Sequence, residues 1–129
     1  MGTELSLLTW SVALMFVQVV IAAQGASGQL GIATLAGNRE DLPTISGWAG
    51  RARRAHLNML ENLVLFAILV LVAKVANKTD GMTALGAHLF FWGRLAYAVL
   101  YIAGIPWIRT GAWLVSVVGM VLIFIRLIG

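Results

Sequence analysis

The chain has no cysteine and only two prolines, two histidines and two tyrosines, and 11% of its 129 residues are charged. Without a thiol it forms no disulfide and offers no sulfur nucleophile, so any sulfur chemistry must be imported. A soluble domain carries roughly 25% charged residues, and this chain falls far short of that, which excludes both that class and intrinsic disorder. Its nine basic residues are scattered and form no stripe or patch for a polyanion, so no nucleic-acid partner is expected. His56 and His88 have no supporting ligands at metal-binding spacing, so no metal is expected either. The glycines within residues 25–37 match neither standard phosphate-loop pattern, which leaves nucleotide binding without support.

What remains is apolar length. Hydrophobic residues make up 60% of the chain and the mean hydropathy is +0.92. That apolar share is about 77 residues, close to the roughly 80 that four helical spans of about 20 residues absorb. The charges delimit four apolar stretches: residues 5–23 without a charge, 63–76 broken only by Lys74, 82–105 broken only by Arg94, and 111–125. The expected fold is therefore all-α, an integral membrane four-helix bundle in a single domain, with helices at about 4–23, 47–77, 82–104 and 107–128. The first stretch differs from a signal peptide because Glu4 is its only early charge and its uncharged run exceeds the 7 to 15 residues of a signal core.

Residues 24–46, rich in glycine and polar breakers, form the longest expected loop. The second helix runs about ten residues beyond what a crossing needs, so its first turns belong at headgroup depth or against a protein-shielded cavity. Residues 77–81 make a short polar turn, and Gly104, Ile105 and Pro106 separate the last two helices. Arg39, Arg51, Arg53, Arg54 and Arg109 cluster near the first and third loops, against Lys74, Lys78 and Arg126 at the other side. The positive-inside rule then places the first and third loops in the cytoplasm and both termini opposite.

The second helix carries a polar stripe. At 3.6 residues per turn, Arg51, Arg54, Asn58, Glu61 and Asn62 fall within about 100° of arc, while Arg53 and His56 point elsewhere. Arginines at a helix start serve topology and snorkel to phosphates, and Asn58 and Glu61 can simply bond neighbouring helices. The alternative is functional, because a carboxylate inside a membrane helix is costly unless paired. On the third helix Arg94, Tyr97 and Tyr101 lie at spacings of three and four and share one face. Those tyrosines are either members of an interfacial aromatic belt, to which Trp92, Trp107 and Trp113 are assigned, or part of an answering polar face. The two faces together suit a small, multiply charged, zwitterionic ligand.

The run Arg51-x-x-Arg54-Ala55-His56-x-Asn58-x-x-Glu61-Asn62, followed by Arg94-x-x-Tyr97-x-x-x-Tyr101 and then Arg109, resembles the MAPEG family, the membrane-associated proteins in eicosanoid and glutathione metabolism. Length and four-span layout resemble its small bacterial-type members. The resemblance implies a left-handed four-helix bundle that assembles as a homotrimer, with glutathione as co-substrate bound between subunits near the cytoplasmic face. Carried over residue by residue, Arg54, Asn58 and Glu61 would hold the glutathione backbone and its γ-glutamyl end, with Arg51 as a nearby charge partner. Arg94, Tyr97 and Tyr101 would close the pocket, and Arg109 would lie against the sulfur as the catalytic residue, its alternative role being a headgroup anchor. The implied activity is that of a glutathione S-transferase or peroxidase acting on lipophilic electrophiles or lipid hydroperoxides that arrive through membrane lipid. Gly50 and Asn62 stand where many family enzymes have a glutamate and an aromatic, which keeps open a non-catalytic scaffold or lipid-binding protein. A small proton-coupled transporter built on Glu61 is a third reading, opposed by the arginines around it.

Overall fold

The computed structural model describes residues 1–37 and 44–129, so Arg39, one of the charges used to orient the chain, lies outside the described residues. Five helices follow in order: α1 (Thr3–Leu30), α2 (Ile32–Ala36), α3 (Gly47–Val75), α4 (Gly81–Ala103) and α5 (Pro106–Ile128). The four long ones are each long and apolar enough to cross a membrane, as an integral multi-pass protein requires.

The boundaries of α3, α4 and α5 lie within two residues of those expected, whereas α1 extends seven residues beyond 23 and converts much of the expected loop into helix. The glycines misled the expectation for a physical reason. Gly25 is a packing position: a Cβ there would come within 2.5 Å of the Ala49 Cβ, so its bareness lets α1 and α3 approach closely. The chain turns instead at Gly31, whose φ of 83° is a left-handed backbone conformation that suits glycine. Gln29 then clamps the start of α3 with two hydrogen bonds, Nε2 donating to the Ser46 carbonyl (2.7 Å) and Oε1 accepting from the Ser46 amide (3.0 Å).

The remaining junctions follow capping chemistry. Asp80 caps α4 by accepting from the Met82 and Thr83 amides, while the Thr83 hydroxyl accepts from the Asp80 amide, which closes a capping box. Gly104, at φ 83°, ends α4 in the left-handed conformation, and Pro106 opens α5 where a missing N–H costs nothing. The long helices thus alternate in direction, and the α1–α3 and α4–α5 junctions share one end of the bundle.

Along α4 and α5 the backbones nearly touch. A Cβ on Gly119 would collide with the Gly86 carbonyl oxygen, and one on Gly93 would lie 2.9 Å from the Ser116 amide nitrogen. Below the site, Phe66 and Phe90 stack at 4.0 Å among Met59, Val70, Ala87, Met120 and Ile123. Trp10, Phe16, Val64, Leu65, Ile68 and Leu71 are exposed, as suits a surface solvated by lipid. Polar residues turn inward: Glu4, Ser11, Gln18, Thr83, Arg94 and Ser116 are all buried.

Candidate functional site

The polar face of α3 meets α4 and α5 at the end of the bundle that carries the α4–α5 junction. There a cavity of about 250 Å³ is lined by Asn58, Tyr97, Tyr101, Arg109, Thr110 and Trp113. The i, i+4 spacing of Tyr97 and Tyr101 brings their rings together along one face of α4, tilted by 58° with centroids 5.4 Å apart. Arg109, one turn into α5, lays its guanidinium over the Tyr101 ring at 4.1 Å, a cation–π contact that holds the charge at the cavity wall. Arg54 approaches the same phenol from α3, its Nε donating to the Tyr101 hydroxyl at 3.2 Å.

The floor is supported from behind. Arg94 is fully buried, places its guanidinium 4.2 Å over the Tyr97 ring, and donates from Nη1 to Asn58 Oδ1 at 2.8 Å. Its Nε and Nη2 have no hydrogen-bond partner among the described residues. Among the described residues no carboxylate lines the cavity, while three guanidiniums stand in or around it. Such a site favours an anion or an acceptor-rich ligand and stabilises negative charge that develops there.

The eight residues expected at the site thus divide. Asn58, Tyr97, Tyr101 and Arg109 line the cavity, Arg54 touches one of its phenols, and Arg94 lies behind its floor. Arg51 is engaged elsewhere: its Nε donates to the Ile102 carbonyl at 3.0 Å, satisfying a carbonyl at the C-terminal end of α4 where a cation also complements the helix dipole. Glu61 is exposed near the midpoint of α3 and has no ion-pair partner among the described residues.

Three residues were missed or misassigned from sequence. Trp113, assigned to the interfacial belt, lines the cavity because it falls one turn after Arg109 on the same face of α5. Thr110 also lines it, its hydroxyl donating to the Pro106 carbonyl at 3.3 Å. Gln18 is buried with both amide atoms unpartnered among the described residues. The signal for Gln18 was the seven-residue interval joining Glu4, Ser11, Gln18 and Gly25, all buried on one line of α1.

Comparison with curated proteins and with solved structures gives no match. A family model does match, the MAPEG family, over residues 7–129, which takes in the last three spans, all but the first four residues of α1 and every residue of the site. The chain therefore belongs to the MAPEG family, membrane proteins of the eicosanoid and glutathione metabolism kind.

Proposed function

We propose that this protein is a glutathione-dependent transferase or peroxidase that acts on lipophilic electrophiles or lipid hydroperoxides within the membrane. The observation that carries the reading is the cationic cavity on which Asn58, Tyr97, Tyr101 and Arg109 converge, with no carboxylate lining it among the described residues. A thiol with an ordinary pKa of about 8.5 is only a few per cent thiolate at neutral pH, and a guanidinium beside it stabilises the ionised form. Arg109 is the residue placed to do this, held at the wall by the Tyr101 ring. The thiolate then attacks an electrophilic carbon to give a thioether, the electron pair of the broken bond leaving with a displaced anion or remaining on the opened epoxide oxygen, which takes up a proton. With a hydroperoxide, two glutathiones are oxidised to the disulfide while the substrate is reduced to an alcohol and water.

At about 250 Å³ the cavity lies below the roughly 300 to 1,000 Å³ of sites that enclose a small molecule, which supports a half-site completed by a second copy. Glu61 supports the same assembly. A carboxylate facing lipid at mid-helix costs about 2.5 to 3.5 kcal/mol on insertion scales, and a neighbouring protomer removes that exposure. The proposed assembly is a homotrimer with glutathione between subunits, the cavity of one protomer, with its Arg54, Asn58, Tyr97, Tyr101 and Arg109, being closed by the surface of the next. The proposed orientation puts the cavity at the cytoplasmic face, where glutathione is made. The departures at Gly50 and Asn62 support a second reading, a non-catalytic protein that binds glutathione without turnover.

Ultraviolet difference absorbance during glutathione titration of the detergent-solubilised protein tests the proposal. A saturable thiolate band that is lost in Arg109→Ala, with binding weakened in Arg54→Ala, supports the enzyme reading. Saturable binding without a thiolate band or turnover of a generic electrophile selects the non-catalytic one. Absence of binding at millimolar glutathione overturns both.

A further inference from the structure

One asparagine at the cavity, Asn58, and a second bonded to it from the next turn of α3, Asn62, have orientations fixed by partners that cannot exchange roles. A guanidinium has only N–H donors, so the side-chain atom of Asn58 that faces Arg94 Nη1 at 2.8 Å is the carbonyl oxygen Oδ1. One turn further along α3, Asn62 lies against the backbone carbonyl of Asn58, which only accepts, so the atom at 2.8 Å is Nδ2. The same Asn62 nitrogen also reaches Asn58 Oδ1 at 3.2 Å. Both lone pairs of Asn58 Oδ1 are therefore taken, one by Arg94 and one by Asn62. The nitrogen Nδ2 of Asn58 has no hydrogen-bond partner among the described residues, is accessible, and belongs to a residue that lines the cavity.

From this arrangement we infer that Arg94 and Asn62 are positioning residues that lock Asn58 as a hydrogen-bond donor, so that the ligand group seated against Asn58 is an acceptor, a carboxylate or a peptide carbonyl, and never an amine. The buried charge of Arg94 adds to the lock. It polarises the Asn58 amide from the carbonyl side, strengthening the N–H donors on the other, and it lies behind the floor as a cation with no ion-pair partner among the described residues.

The inference rests on the reading of the cavity as a glutathione site, and two measurements separate its failure from that reading's failure. The first is glutathione affinity by calorimetry in detergent for the wild type, Asn58→Asp, Arg94→Met and Arg94→Lys. Asn58→Asp keeps the size of the side chain and the acceptor for Arg94 and Asn62, yet presents an oxygen to the cavity in place of the amide nitrogen. The expected loss is about 10- to 100-fold, the worth of a hydrogen bond to a charged group. Arg94→Met is expected to weaken binding and Arg94→Lys, which retains a donor and the charge, to restore much of it, a rescue that a purely space-filling role would not show. Undiminished binding in Asn58→Asp overturns the inference.

The second measurement needs no ligand. In protein labelled with nitrogen-15 on asparagine, the Asn58 side-chain amide resonances are identified by their disappearance in Asn58→Asp. They are expected to move in both Arg94→Met and Asn62→Leu and to stay near the wild-type position in Arg94→Lys. If wild type binds no glutathione but these shifts occur, the proposed function fails and the lock stands. If Asn58 resonances do not respond to either substitution, the lock is wrong whatever the ligand.

Discussion

Single residues decide the chemistry of this molecule through what they are already bound to. Arg51 and Arg54 lie one turn apart and read alike in sequence, but one satisfies the Ile102 carbonyl and the other the Tyr101 hydroxyl. Arg51→Ala is therefore expected to destabilise the α4–α5 junction by about 1 to 2 kcal/mol in thermal melts, with less effect on glutathione affinity than Arg54→Ala. For Arg109, replacement by alanine is expected to reduce the bound thiolate fraction at neutral pH about tenfold, the effect of one unit in thiol pKa, seen as a displaced pH profile of the ultraviolet band. At the opposite end, Arg126 holds the Asp80 carboxyl below its ordinary value of 3.8, helped by the Thr83 and Met82 amides. A depressed folded-state pKa contributes stability that is present above the ordinary value and is lost as pH falls through the folded one. Acid melts should show that loss in the wild type and a smaller one in Asp80→Asn.

At the scale of elements, the helices are held together by what is small as much as by what is apolar. The contact between Gly86 and Gly119 leaves no room for a side chain, so Gly119→Val is expected to push α4 from α5 and cost about 1 to 3 kcal/mol or more, read as a lower melting temperature in detergent. Because Tyr97, Tyr101 and Arg109 face each other across that seam, the same substitution should also weaken glutathione binding. The four spans were legible in the sequence because each is an apolar run with at most one internal charge, set off by polar residues, and bilayer thickness leaves little freedom in their length. The extension of α1 was not, since a glycine that breaks a helix and one that admits a neighbouring helix are the same letter; the Ala49 Cβ beside Gly25 tells them apart.

For the whole molecule, the absence of cysteine is an experimental advantage. A single cysteine placed at Thr79 is expected to react with a membrane-impermeant maleimide in intact cells, and one at Ile105 only after permeabilisation, if the cavity faces the cytoplasm. The reverse pattern would overturn the proposed orientation. Native mass spectrometry from detergent should report three protomers, with Glu61 protected from a carbodiimide that reacts with exposed carboxylates. The sequence by itself determined the membrane class, the number of spans and the helix faces on which the polar residues lie, because these depend on hydropathy and on the 3.6-residue turn alone. Which of those residues reach a common cavity, that Arg94 stands behind its floor, that Arg51 caps a helix and that Trp113 faces inward were decided only by tertiary structure. The physical reason is that a guanidinium or an amide accepts several partners, and the one it takes depends on how closely and in what rotation neighbouring helices pack, which glycine seams and junctions far along the chain fix.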